Sequence, residues 1–136
     1  MPQVQPPVFR IVLLWSALLS IALVLVACGT NSSLLKSVTI TPSTASGQAQ
    51  FTAVGMRVNG STVDPAAVLW WNSMPWSTLP TPPPGITIDT TGKATCLSVA
   101  GTFTVWATAP TNQSSPLSQM TMSTPQVVGT AQITCP

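Results

Sequence analysis
The chain has 136 residues, only 4% of them charged, and a formal net charge of +2, where a soluble domain usually has about a quarter of its residues charged. Its cations, Arg10, Lys36, Arg57 and Lys93, are scattered, which excludes a protein that reads nucleic acid through clustered Lys and Arg. The sequence contains no His, so Ser-His and Cys-His catalytic pairs are absent and three cysteines alone do not assemble a closed zinc shell; no metal or cofactor is expected.

Residues 1–10 carry a single charged side chain, Arg10, and residues 11–27 (IVLLWSALLSIALVLVA) carry none. A short positive region, an apolar core and a small-residue exit is the order of a secretory signal, expected here as an N-terminal helix. The apolar run falls slightly short of the roughly 20 residues that cross about 30 Å of hydrocarbon, and Ser16 and Ser20 interrupt it. An ordinary secretory signal ends in small residues at −3 and −1, whereas Leu25 occupies −3 here. Leu25-Val26-Ala27-Cys28 instead resembles the lipobox of bacterial lipoprotein signal peptides. That resemblance implies a diacylglyceryl group on the Cys28 thiol, cleavage just before it and a lipid anchor in the bacterial cell envelope. Gly29 in place of aspartate then points to the outer membrane or cell surface. Two or more acyl chains hold stably, each buried methylene contributing about 0.8 kcal/mol. An uncleaved membrane anchor is the competing reading.

Removing residues 1–27 leaves 109, enough for one domain with a real core and not for two. The organisation expected is a signal over 1–27, a lipidated cysteine with a short uncharged tether over 28–35, and a domain over 36–136. Within that domain short β-type runs alternate with turn chemistry. Residues 37–42 (SVTITP) alternate cleanly and stop at Pro42. In the run 48–58, Phe51 and Ala53 share one face while Met56 and Val58 fall on the other, which predicts a β-bulge at Gly55. Asn59-Gly60 then predicts a two-residue hairpin turn. Residues 66–71 (AAVLWW) are apolar on both faces, as in a central strand. Residues 75–85 contain five prolines and read as a stiff loop. Runs 85–89 and 92–96 flank the turn Asp89-Thr90-Thr91-Gly92, where Asp89 caps its own backbone. Residues 102–109 place Phe103, Val105 and Ala107 inward; residues 129–135 do the same with Ala131, Ile133 and Cys135. About seven short strands in about 100 residues predict an all-β antiparallel sandwich.

Taken in order, Ser37-Val38-Thr39-Ile40-Thr41-Pro42, Gln50-Phe51-Thr52-Ala53, Val68-Leu69-Trp70, Ile88-Asp89-Thr90-Thr91-Gly92-Lys93-Ala94-Thr95, Ala100-Gly101-Thr102-Phe103-Thr104-Val105-Trp106-Ala107 and Gly129-Thr130-Ala131-Gln132-Ile133 resemble the bacterial immunoglobulin-like domain of the second group. The resemblance covers roughly residues 36–135. It implies an immunoglobulin-like sandwich with Trp70 between its sheets, acting as a structural, adhesive or spacer module rather than an enzyme. The stretch 71–85 and the loop 110–126 are longer than the family pattern and read as insertions.

Cys96 and Cys135 both fall on inward phases, and an exported domain favours a disulfide over two free buried thiols. Trp71 and Trp106 point away from the phase of Trp70, and Trp76 opens the proline-rich loop. They form either a surface for stacking on sugar rings or a protein partner, or ordinary cover for neighbouring loops. Asp64 and Asp89 lie in different turns and each has a turn explanation, so nothing argues for paired-carboxylate hydrolysis. The N-x-Ser triplets at Asn31, Asn59 and Asn112 reflect turn composition in a bacterial chain. The partners expected are a membrane through Cys28, and envelope proteins or glycans through the domain.

Overall fold
In the computed structural model, which describes residues 33–78 and 85–136, the alternating run after the tether forms the first strand, β1 (Leu35–Thr41). The expected signal helix over 1–27, Cys28, and Pro80, Pro82, Pro83 and Pro84 lie outside the described residues. After β1 come β2 (Thr44–Ser46), β3 (Ala49–Gln50), β4 (Thr52–Arg57), β5 (Thr62–Val63), β6 (Leu69–Trp71), β7 (Ile86–Ile88), β8 (Lys93–Cys96), β9 (Gly101–Pro110) and β10 (Gln126–Cys135). A single 3-10 turn, Leu117–Gln119, sits between β9 and β10, and no α-helix occurs among the described residues.

These strands make an all-β, sandwich-like body. One layer is the sheet β2-β10-β9-β6. The other is built from β1-β4-β5 and β3-β8-β7, which meet at the run 49–57 because β3 and β4 are separated only by Phe51. All ladders are antiparallel except β2 against β10, which is parallel. Inward residues of both layers, among them Ile40, Phe51, Ala94, Val105, Ala131 and Ile133, join in one hydrophobic cluster. At about 25 cal/mol per Å² of apolar surface removed from water, that burial is the main force opposing chain entropy.

Four details differ from the sequence-based expectation, and each has a local cause. Gly55 is not a bulge: Phe51, Ala53 and Gly55 keep one inward phase, and Met56 and Val58 are outward, 41% and 58% exposed. The irregularity lies on the partner strand, where Leu35 pairs Arg57 and Ser37 pairs Met56, leaving Lys36 as the extra residue. That insertion lets both Leu35 and Val38 face the core, which a strict period of two forbids. Leu35 fills the space above Gly55, where an added Cβ would lie 2.7 Å from Leu35 Cδ2.

The turn at Asn59-Gly60 is a three-residue loop, since Arg57 N–H bonds Ser61 O at 2.8 Å and only Gly60 takes positive φ (82°). This is the type I turn closed by a left-handed glycine, and Asn59 Oδ1 reinforces it by accepting from Ser61 N–H at 3.0 Å. The apolar run 66–71 is not a central strand. Only Leu69–Trp71 pairs, and it forms the edge of its sheet beside β9. Finally, the described residues form ten strand segments rather than about seven. β2 and β5 were not expected because Thr44-Ala45-Ser46 and Thr62-Val63 carry too little apolar alternation to register.

Cys96 at the end of β8 and Cys135 at the end of β10 form a disulfide with Cα atoms 5.6 Å apart, joining the two layers. Asp89 does cap its turn. Its Oδ1 accepts from Thr91 Oγ1–H at 2.6 Å, Thr91 N–H at 2.8 Å and Lys93 N–H at 3.0 Å. The Thr91 hydroxyl first, then the backbone donors and the Lys93 charge, hold this carboxyl below its ordinary value of 3.8 against a smaller opposing desolvation.

Two outcomes follow from these links. The bridge closes a separation of 39 residues, so the Cys96→Ala/Cys135→Ala double variant loses about 4 kcal/mol of unfolding free energy by the loop-entropy relation, measured by guanidinium denaturation. Because the folded-state pKa of Asp89 is depressed, its stabilisation is complete above the unfolded value and is lost as pH falls through the folded one. Asp89→Asn keeps an acceptor oxygen but does not titrate, so its melting temperature falls less between about pH 4 and about pH 2 than that of the wild-type protein.

Candidate functional site
Alternation along β9 sends Val105 and Ala107 into the core and Trp106 and Thr108 to the outer side of the sheet. Trp71 of β6 pairs with Trp106, Leu69 with Thr108, and Thr130 of β10 with Trp106 on its other flank. The expected aromatic residues therefore come together on one face, and Trp76 reaches the same face from the loop after β6.

Trp71 lies over Thr108. Its Nε1–H donates to Thr108 Oγ1 at 2.6 Å, and the Thr108 hydroxyl in turn donates to Leu69 O at 3.4 Å. Thr108, on the outward phase, is consequently 0% exposed. Trp76 packs on Trp71 with ring centroids 5.0 Å apart and planes tilted by 58°. Its Nε1–H donates to Gln126 Oε1 at 3.2 Å. Trp76 has φ of 59°, unusual for a bulky residue and costing on the order of 1–3 kcal/mol; the ring contact and the Gln126 bond hold it there. Buried Tyr and Trp polar groups normally find such partners.

All three indoles are half-buried. Trp71 and Trp76 have their N–H groups satisfied internally, whereas Trp106 N–H has no hydrogen-bond partner among the described residues. Trp70 points the other way and packs against the core, half-buried, with its ring over Gly92, where an added Cβ would sit 2.9 Å from Trp70 Cζ2. Thr108 and Gln126 were not singled out in the sequence. The only signal for Thr108 is its outward phase two residues after Trp106, and Gln126 opens β10 although it is the last residue of the expected loop 110–126.

The face has one further property. Lys36 and Arg57 lie on β1 and β4, Lys93 on β8, and Asp64 and Asp89 in turns. None is on the outer side of β2-β10-β9-β6. That side is instead threonine-rich, with Thr102, Thr104, Thr130, Thr134 and Gln132 alternating with core residues along β9 and β10.

A cleft of about 280 Å³ opens between the turn 90–91 and the loops 65–68 and 111–125, with Val68, Trp70 and Leu117 on its walls. No titratable or nucleophilic side chain other than threonine hydroxyls lines it. Among the described residues no group of three His, Cys, Asp or Glu stands ready to hold a metal ion, and no helix is long and apolar enough to cross a membrane. Cys28, the expected lipid site, lies outside the described residues.

Protein-family models and curated proteins were compared with this sequence, and none matches it.

The Trp71–Trp76 contact has a spectroscopic consequence. Two indoles at 5.0 Å couple their transitions, so Trp71→Phe and Trp76→Phe each remove the same exciton couplet from the circular dichroism spectrum. Trp106→Phe leaves it in place.

Proposed function
We propose that this protein is a lipid-anchored bacterial envelope protein. It presents one immunoglobulin-like domain as a non-catalytic structural or adhesive module. The observation that carries the reading is the place where the folded body begins. Leu34 O already accepts from Val58 N–H at 2.9 Å, and Leu35, 3% exposed, donates its N–H to Thr111 O at 2.8 Å. In sequence only residues 29–33 stand between Cys28 and Leu34, a distance of at most about 20 Å. A sandwich so close behind a lipobox-like Leu25-Val26-Ala27-Cys28 suits display at a bilayer surface.

The strand order supports the immunoglobulin-like part. The run β1, β4/β3, β8, β7 facing β2, β10, β9, β6 follows the order A, B, E, D against A′, G, F, C. The first strand is divided between the layers at Pro42-Ser43. Lack of a catalytic role is supported by the bridged cysteines, the absence of His from the sequence, and carboxylates confined to separate turns.

Loops 58–61, 64–68 and 111–125 lie at the end of the body where β1 starts, as the bonds of Leu34, Leu35 and Ala67 to Val58, Thr111 and Gln113 show. The disulfide and the ends of β8 and β10 lie at the other end of the body.

Metabolic labelling with a radioactive fatty acid tests the anchor. Label is expected in the wild-type protein and absent in Cys28→Ser, whose signal is also retained. Equal incorporation in the variant, or native material that begins at Met1 with no acyl adduct, refutes it.

A further inference from the structure
We infer that the outer face of the sheet β2-β10-β9-β6, centred on Trp106, is a binding surface for an uncharged polysaccharide. The inference rests on the adhesive reading above and names the partner class.

Three observations carry it. Trp106 stands between Trp71 on β6 and Thr130 on β10, so its half-buried ring lies within a sheet rather than on a loop. A strand position of this kind presents an indole in a fixed orientation, and a fixed platform loses little entropy on binding. The Trp106 N–H has no partner among the described residues, although Trp71 and Trp76 beside it are both internally bonded. One donor on this aromatic patch is thus left for a ligand.

The third observation is the polar character around the ring. Thr104 follows the same phase along β9, Thr130 and Gln132 flank it on β10, and Thr44 pairs beside Gln132. These groups donate and accept hydrogen bonds but carry no charge, and all five charged side chains of the described residues lie on the other layer or in turns. Burying an acidic or basic ligand here would leave its charge unpaired, which is costly. A neutral sugar offers the complement: C–H groups for the indole face and hydroxyls for threonine and glutamine. The surface has the make-up of a small-ligand site, an apolar centre with a few placed polar groups.

The Trp71–Trp76 pair supplies one wall. Trp76, held at positive φ by its contact with Trp71 and its bond to Gln126, reaches past β9 to the start of β10 and bounds the face at its Gln126 end. The rest of the face runs along β9 and β10 away from that end, past Trp106 and Thr130 to Thr104 and Gln132.

Affinity electrophoresis of the full-length protein in mild detergent tests the inference. The gels contain laminarin or dextran as uncharged probes, or polygalacturonate as an anionic one. Retardation is expected with at least one uncharged probe, weakened about tenfold in Trp106→Ala and unchanged in Lys93→Gln on the other layer. The exciton couplet of Trp71 and Trp76 verifies that Trp106→Ala keeps its fold. No retardation by either uncharged probe, stronger retardation by polygalacturonate, or retardation that Trp106→Ala leaves intact overturns the inference. Running Cys28→Ser alongside separates the two readings. Sugar binding without acylation sinks the anchor alone, and acylation without sugar binding sinks this surface alone.

Discussion
Between Gln50 and Thr52 the chain changes its hydrogen-bonding partner, from β8 behind to β1 ahead, and the side chain at that change, Phe51, is fully buried. Its N–H is not lost to either ladder, because it donates to Gly92 O at 2.9 Å. That contact requires the backbone of the turn 89–92 to come close. Gly92 meets the need with φ of 88°, and an added Cβ there would lie 2.5 Å from Phe51 O. Positive φ and lack of space are separate demands on one residue, and only glycine meets both. Around this point the two short ladders act as one layer, and Phe51 supplies the largest fully buried side chain of the core.

A body with so few charges needs other means to stay hydrated and to terminate its strands. It uses short side chains that bond their own backbone: Asn59 to Ser61, Asp89 to Thr91 and Lys93, Asn112 to Ser114, and Thr124 to Thr121. Each such bond satisfies a donor that a loop would otherwise leave to water. The same chemistry gives the outer face of β9 and β10 its hydroxyls. Hydrated turns and an uncharged outer sheet face thus come from one compositional choice.

Strands whose alternation is driven by burial on one side were legible from the residues alone. β1 from Val38 onward, β9 and β10 carry apolar residues at every second position, and the core lies where those positions predict. Features set by space rather than period were not legible. The placement of Lys36 as an extra residue depends on Leu35 covering Gly55, a contact across two strands. The edge position of β6 depends on what lies beside it, while its sequence, apolar on both sides, records only that both sides are covered. The outward cover is Trp76, which arrives from a loop and binds Gln126, 50 residues away in sequence. Phase alone puts Trp71 and Trp106 on one face, as their pairing does, and leaves Trp76 in its loop. It does not reveal that two of the three serve each other and one is left over. β2 and β5 owe their existence to neighbours that offer free backbone, since their own residues hold little apolar pattern.

The first strand has a mechanical meaning. Tension entering at Leu35 runs along β1, whose pairs with β4 extend from Leu35 to Thr41, and then passes into β2, held parallel to β10 through Gln132–Thr134. A load drawn lengthwise along both segments strains their bonds together, in shear, instead of peeling them one after another. A tug at the amino end is thereby resisted by both layers at once.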